Sequence, residues 1–381
     1  MTINVHRYTW RRQYRYRGHV TRPTIRTVAK LAGVSPAAVS HAMNGRPNIS
    51  PATAARIRKA AEELDWRPAN SGRRLSGSVS SIGMVIARGP RALEMDPSFV
   101  HALTSVSAAL RDLEWSLVLS VFEDPEAELD CYRTWWQEKR VDGFILLDPV
   151  SDDPRVPIIR DMGCPAVTIG RSPDVSCVSE VVMEDAGTMR AVLEHLRDHG
   201  HRRVGRISSP AHLIHTTRRD KAFEIEHRDV FGVDGAIVDS DRSQESTVAA
   251  ARRLLAGTPA PTALVVDNEV MASTVVTYAE ELGVSIPDGL SVISWEDSWL
   301  CEMVRPQITA LRAPVEDSAR EAVVVLRDLI AGGAPASRSV GPRVLVPRAS
   351  VQPPRVRAAP APDRGADDDV DVMPTEWRHL T

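Results

Sequence analysis

Thr24-Ile-Arg-Thr-Val-Ala-Lys-Leu-Ala-Gly-Val-Ser-Pro-Ala-Ala-Val-Ser-His-Ala-Met-Asn44 is the stretch from which the rest of the chain is read. Thr24 can cap a first helix, on which Ile25, Val28, Ala29 and Ala32 fall on one face. Gly33 can take the left-handed backbone that ends it. Ser35 offers a capping oxygen for a second helix, and Pro36 sits where a missing N–H costs nothing. A second Ser-Pro start, Ser50-Pro51, opens a third helix with Ala54, Ile57, Ala61 and Leu64 as its inner stripe. Three short helices with small residues at their crossings predict a helix-turn-helix, whose second helix is shaped to enter a major groove.

A generic helical mini-bundle would account for the stripes but not for the charge. Residues 1–80 hold fifteen Lys/Arg against Glu62, Glu63 and Asp65, a net of +12. The remaining residues hold 32 basic and 47 acidic groups, a net of −15. The overall charge of −3 therefore hides a basic head on an acidic body, the pattern of a phosphate-binding module joined to something else.

At 381 residues the chain can hold two or three cores. With 43% hydrophobic and 25% charged residues it reads as a globular protein. It has no run of eighteen apolar residues and no apolar segment at its N-terminus, so no membrane partner and a cytoplasmic location are expected. Cys131, Cys164, Cys177 and Cys301 form no CxxC pair and are expected to be thiols.

Residues 1–22 mix six arginines with Tyr8, Trp10, Tyr14 and Tyr16 without an apolar period and read as a disordered basic extension. Val20 would begin the chain instead if it were encoded by an initiating GTG. The helix-turn-helix domain is placed at 23–68 and a linker at 69–80, where SGSVSS precedes the apolar run Ile82-Gly-Met-Val-Ile-Ala87. From 81 to 352 strand-like and helix-like stretches alternate. Strands are expected at 82–87, 116–122, 141–147, 166–170, 203–208, 236–239, 263–267 and 290–295, with helices between them at 101–113, 125–139, 187–199, 246–256 and 269–282. Such alternation predicts an α/β body with parallel sheets and right-handed crossovers. Residues 340–351 read as a final extended segment, and the Pro/Ala/Asp-rich 353–381 as a disordered tail.

The chain from 24 to 352 resembles the LacI/GalR family of bacterial transcription regulators. The resemblance lies in T-I-x-x-V-A-x-x-A-G-V-S-x-x-x-V-S-x-x-x-N (Thr24 to Asn44), in Ala61-Glu-Glu-Leu-Asp-Trp-Arg-Pro68, and in Arg73-Arg-Leu75 ahead of Ile82-Gly83. It implies a periplasmic-binding-protein-like body of two α/β lobes between which the chain crosses more than once. It also implies that Pro36, Ala37, Ser40 and His41 face base edges. Pro36 and Ala37 can read only apolar features such as a thymine methyl, so Ser40 and His41 carry the polar readout. Thr24, Ser35, Asn44 and Arg46 would position the backbone on phosphates, and Arg73 in the adjoining hinge is expected to contact DNA. Residues 69–75 match the family's hinge helix, with Leu75 as the wedge that enters the minor groove. Gly72 stands where alanine is usual and costs about 1 kcal/mol of helix propensity, which loosens the coupling of folding to binding.

In the body, the resemblance points to an effector cleft at the ends of strands. Arg219 in Arg-Asp-Lys-Ala-Phe223 corresponds to the arginine of R-x-x-G-F, Asn268 to an N-D pair after a buried strand, and Glu296-Asp297 to the family's D-D. An arginine fork suits vicinal hydroxyls or carboxylates, and with an amide and carboxylates it reads sugar hydroxyls, although the same residues can equally cap strands and helices. Val182-Met183-Glu184 replaces V-D-N, which implies one polar ligand contact fewer, and Asp96-Pro-Ser-Phe99 only loosely matches the usual entry to the first body helix. Trp299 can stack on a ring but reads more simply as rim or core.

His195, His199 and His201 lack an acidic third ligand and match an ordinary helix end, so no metal and no cofactor are expected. G-x-S-x-G, Walker and H-E-x-x-H motifs are absent, so no catalytic residues are assigned and the protein is read as not an enzyme. The reading is a homodimeric, or higher oligomeric, sequence-specific repressor of a palindromic double-stranded operator, responsive to a small molecule of the sugar class. An effector-independent or activating regulator, and more remotely a sugar-binding receptor without DNA function, remain alternatives.

Overall fold

The computed structural model describes residues 23–43, 49–64, 66, 80–89 and 96–354. The chain divides at Ser80 and Ser81 into two compact units. Asn44, Arg46, Arg73 and Leu75, the hinge with Gly72, and the two terminal extensions lie outside the described residues.

In the first unit, α1 (Ile25–Ala32), α2 (Pro36–Met43) and α3 (Pro51–Glu63) form the expected trihelical head. Thr24 Oγ1 accepts from the Thr27 amide at 3.3 Å while Thr27 Oγ1 accepts from the Thr24 amide at 3.2 Å, a reciprocal cap that fixes the start of α1. Gly33 ends that helix at φ +65°, where any side chain would be strained. Val28, Ala29, Ala32, Val39, Ala42, Ile57, Ala60 and Ala61 form its core. Five alanines among them let the helices approach closely enough to seal so small a unit.

The second unit holds two six-stranded sheets. The first comprises β1 (Ser81–Ala87), β2 (Ser116–Phe122), β3 (Gly143–Leu146), β4 (Ala166–Ile169), β5 (Ser179–Val182) and β11 (Ser337–Ser339) in the order β11-β5-β4-β3-β1-β2, all parallel. The second comprises β6 (Val204–Ser208), β7 (Ala236–Asp239), β8 (Ala263–Val266), β9 (Ser291–Ser294), β10 (Thr309–Arg312) and β12 (Val344–Val346) in the order β12-β10-β9-β8-β6-β7, parallel but for β12. Each strand order reverses beside the first strand of its lobe, at β1 and at β6, which places a crevice at the carboxyl ends of those strands.

Helices cover both faces of each sheet because alternate strand residues feed opposite cores. In β1, Ile82, Met84 and Ile86 pack on α4 (Pro97–Arg111) and α12 (Val315–Ile330). Val85 instead meets α5 (Pro125–Gln137) and α6 (Arg155–Met162) on the opposite side. In β8, Leu264 and Val266 join α9 (Gln244–Leu255) and α10 (Glu269–Thr277), while Ala263 and Val265 join α7 (Ala186–Asp198) and α8 (Ile214–Phe231). The chain passes between lobes after β5, after β10 and after β11, so neither lobe is a continuous block.

All eight expected strands form, with ends shifted by two residues at most. Three strands fall outside the sequence reading, β5, β10 and β11, each of four residues or fewer. The expected helix at 269–282 stops at Thr277 and continues as turn. Among the described residues no helix is long and apolar enough to cross a membrane. Cys131, Cys164 and Cys301 are buried, and burial pushes their thiols up to about 11, 12 and 11, so they are uncharged at neutral pH.

Candidate functional site

On the head, α2 buries Val39 and Ala42 against its neighbours and leaves Pro36 and Ala37 exposed, with Ser40 and His41 half-buried beside them. These four sequence-predicted residues therefore occupy the first two turns of the helix away from the core side chains. Ser35 Oγ accepts from the Ala38 amide at 3.2 Å, so this hydroxyl caps the helix that it was expected to position, and Thr24 does the same for α1. Both sit at helix N-termini, where backbone N–H groups and the helix dipole favour a phosphate oxygen. If His41 reads a base edge, His41→Ala is expected to relax preference at one position per half-site by roughly 1–3 kcal/mol. Binding measured against single-base variants of the chain's own promoter DNA checks this, and equal weakening on every sequence would make His41 a phosphate contact instead.

In the body, the charged side chains converge on the carboxyl ends of the second sheet. Asp267 and Asn268 follow β8, Glu296 and Asp297 follow β9, and Ser209 follows β6. Arg219 comes from α8, is 5% exposed, and donates to Asp267 Oδ1 at 3.2 Å and to Glu296 Oε1 at 3.4 Å. Arg206, a fully buried residue of β6, donates to the same Asp267 oxygen at 2.6 Å and to Asp220 at 2.7 Å. Burial alone would raise the Asp267 pKa, but the Arg219 and Arg206 guanidinium groups hold it well below the usual carboxylate range. Glu296 is likewise raised by burial and brought below its ordinary value by Arg343 and Arg219.

Trp295, fully buried, lies under this network, with the guanidinium carbons of Arg219, Arg206 and Arg343 at 5.5, 5.9 and 5.9 Å from its ring. The four predicted cleft residues thus divide. Arg219 and Glu296 meet. Asn268 caps α10, its Oδ1 accepting from the Met271 amide at 2.8 Å, which leaves the amide NH2 as the donor available to a ligand. Asp297 is held instead by Arg312 at 2.9 Å and Arg348 at 2.8 Å. Trp299, at the start of α11 (Trp299–Met303), is 60% exposed.

The opposite wall belongs to the first lobe. Arg88, just past β1, is clamped between Asp96 (2.8 Å) and Asp148, and Asp96 also caps α4 through the Phe99 amide. Ser98 Oγ then reaches across the lobes to donate to Glu269 Oε1 at 2.9 Å. Burial, and after it the charge of Glu296, pushes the Glu269 carboxyl up to about 7. A second tie is the antiparallel bridge Val150–Leu213, flanked by Ser151 N to His212 O and Ile214 N to Pro149 O, both 3.1 Å.

Asp267, Arg206, Arg343 and Glu269 were not singled out from sequence. Arg206 carried a signal, a lone arginine inside the apolar run Val204-Gly-Arg-Ile-Ser208, because a charge in a buried strand requires a partner. Of the histidines, His201 is buried with Nδ1 at 2.9 Å from Thr262 Oγ1 and Nε2 at 3.0 Å from the Gln352 carbonyl, a structural role. The rings of His195 and His199 lie 4.3 Å apart, tilted by 49°, and among the described residues no group of His, Cys, Asp and Glu is arranged to hold a metal.

Residues 24–69 match the family described as bacterial regulatory proteins, lacI family, and residues 193–351 match the periplasmic binding protein-like domain. The HTH-type transcriptional regulator CelR of Thermobifida fusca is 28% identical over 320 residues, which cover 82% of this chain and 93% of that regulator. The solved complex of the regulator CelR with cellobiose superposes with a TM-score of 0.65 at 26% identity, covering 86% of this chain and 100% of the other. The lac repressor dimer bound to operator and the anti-inducer ONPF shares the fold, with a TM-score of 0.73 at 21% identity over 87% of this chain and 99% of the other.

Proposed function

The chain belongs to the LacI family of bacterial regulatory proteins, a sequence-specific DNA-binding transcriptional regulator, and from that premise we propose a homodimeric repressor whose operator affinity is set by a small polyhydroxylated effector. The single observation that carries the effector is the buried Arg219–Asp267–Glu296 network, set at the carboxyl ends of strands and facing a second lobe. Guanidinium forks, a free amide and carboxylates together recognise hydroxyl groups as both donors and acceptors, and the CelR complex shows cellobiose bound to a relative. In this proposal Pro36, Ala37, Ser40 and His41 read bases, Thr24, Ser35, Asn44 and Arg46 hold phosphates, and Arg73 and Leu75 contact DNA from the hinge, Leu75 as the minor-groove wedge. The reading places the protein in the cytoplasm, acting on a palindromic operator through two heads.

The mechanism follows from the interlobe ties. A ligand seated against Arg219, Asn268 and Glu296 must compete with or reinforce the Ser98–Glu269 hydrogen bond and the Val150–Leu213 bridge. Only a difference in its affinity for two arrangements of the lobes can change the state of the heads. Titrating the full chain on its own promoter DNA with cellobiose and a panel of monosaccharides, followed by fluorescence anisotropy, is expected to show one ligand shifting operator affinity by roughly 5- to 150-fold. Unchanged affinity across the panel would favour an effector-independent regulator.

A further inference from the structure

Arg242 lies in the loop between β7 and α9, at the same carboxyl edge of the second sheet as Asp267 and Glu296. Its backbone sits at φ +73°, in the left-handed region. Glycine or asparagine would make that turn at lower cost, so an arginine there calls for a reason in its side chain. That side chain points back into the body: Nε donates to Ser209 Oγ at 3.0 Å, and Nη2 lies 3.4 Å from His215 Nε2. Burial, and then the charge of Arg219, pushes His215 down to about 3, so its ring is neutral and can accept from Arg242.

The charges around Arg242 do not balance locally. Among the described residues Arg206 pairs with Asp220 and Asp267, and Arg219 with Asp267 and Glu296, while Arg242 has no carboxylate within 4 Å. Arg343, which arrives on the third crossing between lobes and is 8% exposed, has only Glu296 at 3.8 Å and no hydrogen bond among the described residues. Its guanidinium is pulled below its ordinary value by burial and then by Arg219. Arg219 Nε, Arg343 Nε and Trp295 Nε1 are all buried donors without a partner among the described residues. A buried donor left unmatched is costly, and although Asp267 Oδ2 in the same network lacks a donor, the unmatched donors outnumber it and call for a molecule that brings acceptor oxygens. Glu269, Ser98 and Asp96 gather in contrast around the interlobe tie, where hydroxyl donors are matched.

Resting on the effector reading above, we infer that Arg242, Arg219 and Arg343 form an anion subsite, and that the effector is an acidic sugar bearing a carboxylate or a phosphate. The guanidinium fork of Arg242 takes the anionic oxygens, Arg219 and Arg343 supply the remaining donors, and the sugar hydroxyls run toward Glu269 and Ser98. No bond is made or broken; the site discriminates by charge.

Calorimetric titration of the full chain with D-glucuronate, D-glucose 6-phosphate, D-glucose and cellobiose tests the inference, with operator affinity measured on the same samples. One of the two anionic ligands is expected to bind at least tenfold more tightly than D-glucose and to shift operator affinity, and which one binds identifies the anion. Arg242→Gln is expected to erase that preference, and Arg242→Lys, which keeps the charge but not the fork, to restore part of it. Far-ultraviolet circular dichroism confirms that each variant is folded, and if Arg242→Gln is not, the wild-type preference and Arg242→Lys carry the test. Equal binding of anionic and neutral ligands, or a preference unchanged in Arg242→Gln, overturns the anion subsite. If cellobiose or glucose shifts operator affinity and neither anion does, the anion subsite falls while the effector reading stands. If none of the four binds or shifts operator affinity, both fall.

Discussion

Asp267→Asn is expected to destabilise the body by about 3–5 kcal/mol, the usual cost of removing one partner from a buried ion pair. The substitution barely changes volume, so the loss is electrostatic. Asp267 is fully buried and its Oδ1 receives both Arg206 and Arg219, neither of which can shed its proton. Asparagine leaves the two guanidinium groups to share Asp220 and Glu296, one on each side. Urea unfolding followed by near-ultraviolet circular dichroism measures the change, since Trp295 lies within the network. Asp220→Asn, at a carboxylate that is 22% exposed, is expected to cost less because water replaces part of what is lost. A change for Asp267→Asn within 1 kcal/mol of zero would mean that the network is not the keystone of this lobe. The pH dependence has a definite sign. A carboxyl whose folded pKa is depressed contributes stability that is present above its unfolded pKa, near 3.9, and is lost as pH falls toward the folded value. Acid unfolding of the body is therefore expected to begin below about pH 4 and to be blunted in Asp267→Asn.

Glu269→Gln is expected to act in the opposite direction. The folded pKa of Glu269 is raised to about 7 from an ordinary value of 4.5. The stability linked to this group is fully present below pH 4.5 and is lost as pH rises toward 7. The difference amounts to something on the order of 3 kcal/mol at one unit per 1.36 kcal/mol. Glutamine mimics the protonated acid and still accepts from Ser98, so Glu269→Gln is expected to be more stable than the parent above pH 7 and equal to it near pH 4.5. Unfolding midpoints at pH 5, 6, 7 and 8 test this, and parallel pH profiles for parent and variant would rule out Glu269 as the titrating group. The effect extends to function, because Glu269 holds a tie between the lobes. A carboxylate formed there beside Glu296 repels it, so an effector's preference for one lobe arrangement is expected to change between pH 6 and 8.

The amino-acid sequence by itself determined the kind of protein. Local chemistry specifies the head: Thr24 and Ser35 hydroxyls, Gly33 at a left-handed turn and alanines at crossings each act within a few residues of chain, where a sequence can be read directly. The strands β1 and β8 were legible for a related reason, since buried parallel strands are near-continuous apolar runs. Strands β5, β10 and β11 were not, because Ser-Glu-Val-Val, Thr-Ala-Leu-Arg and Ser-Arg-Ser carry neither such a run nor a period. The tertiary structure alone decided which charged residues pair into one network. Arg206 and Asp267 are 61 positions apart, Arg219 and Asp267 48, and Arg219 and Glu296 77. Nothing in their immediate neighbours says that they meet. The resemblance singled out Arg219, Asn268, Glu296 and Asp297 as effector residues; the structure brings Arg219 and Glu296 together with Asp267 and Arg206, which it had passed over, and pairs Asp297 with Arg312 and Arg348. Ion pairing is set by distance and dielectric, and both exist only once the sheet has brought the ends of its strands together.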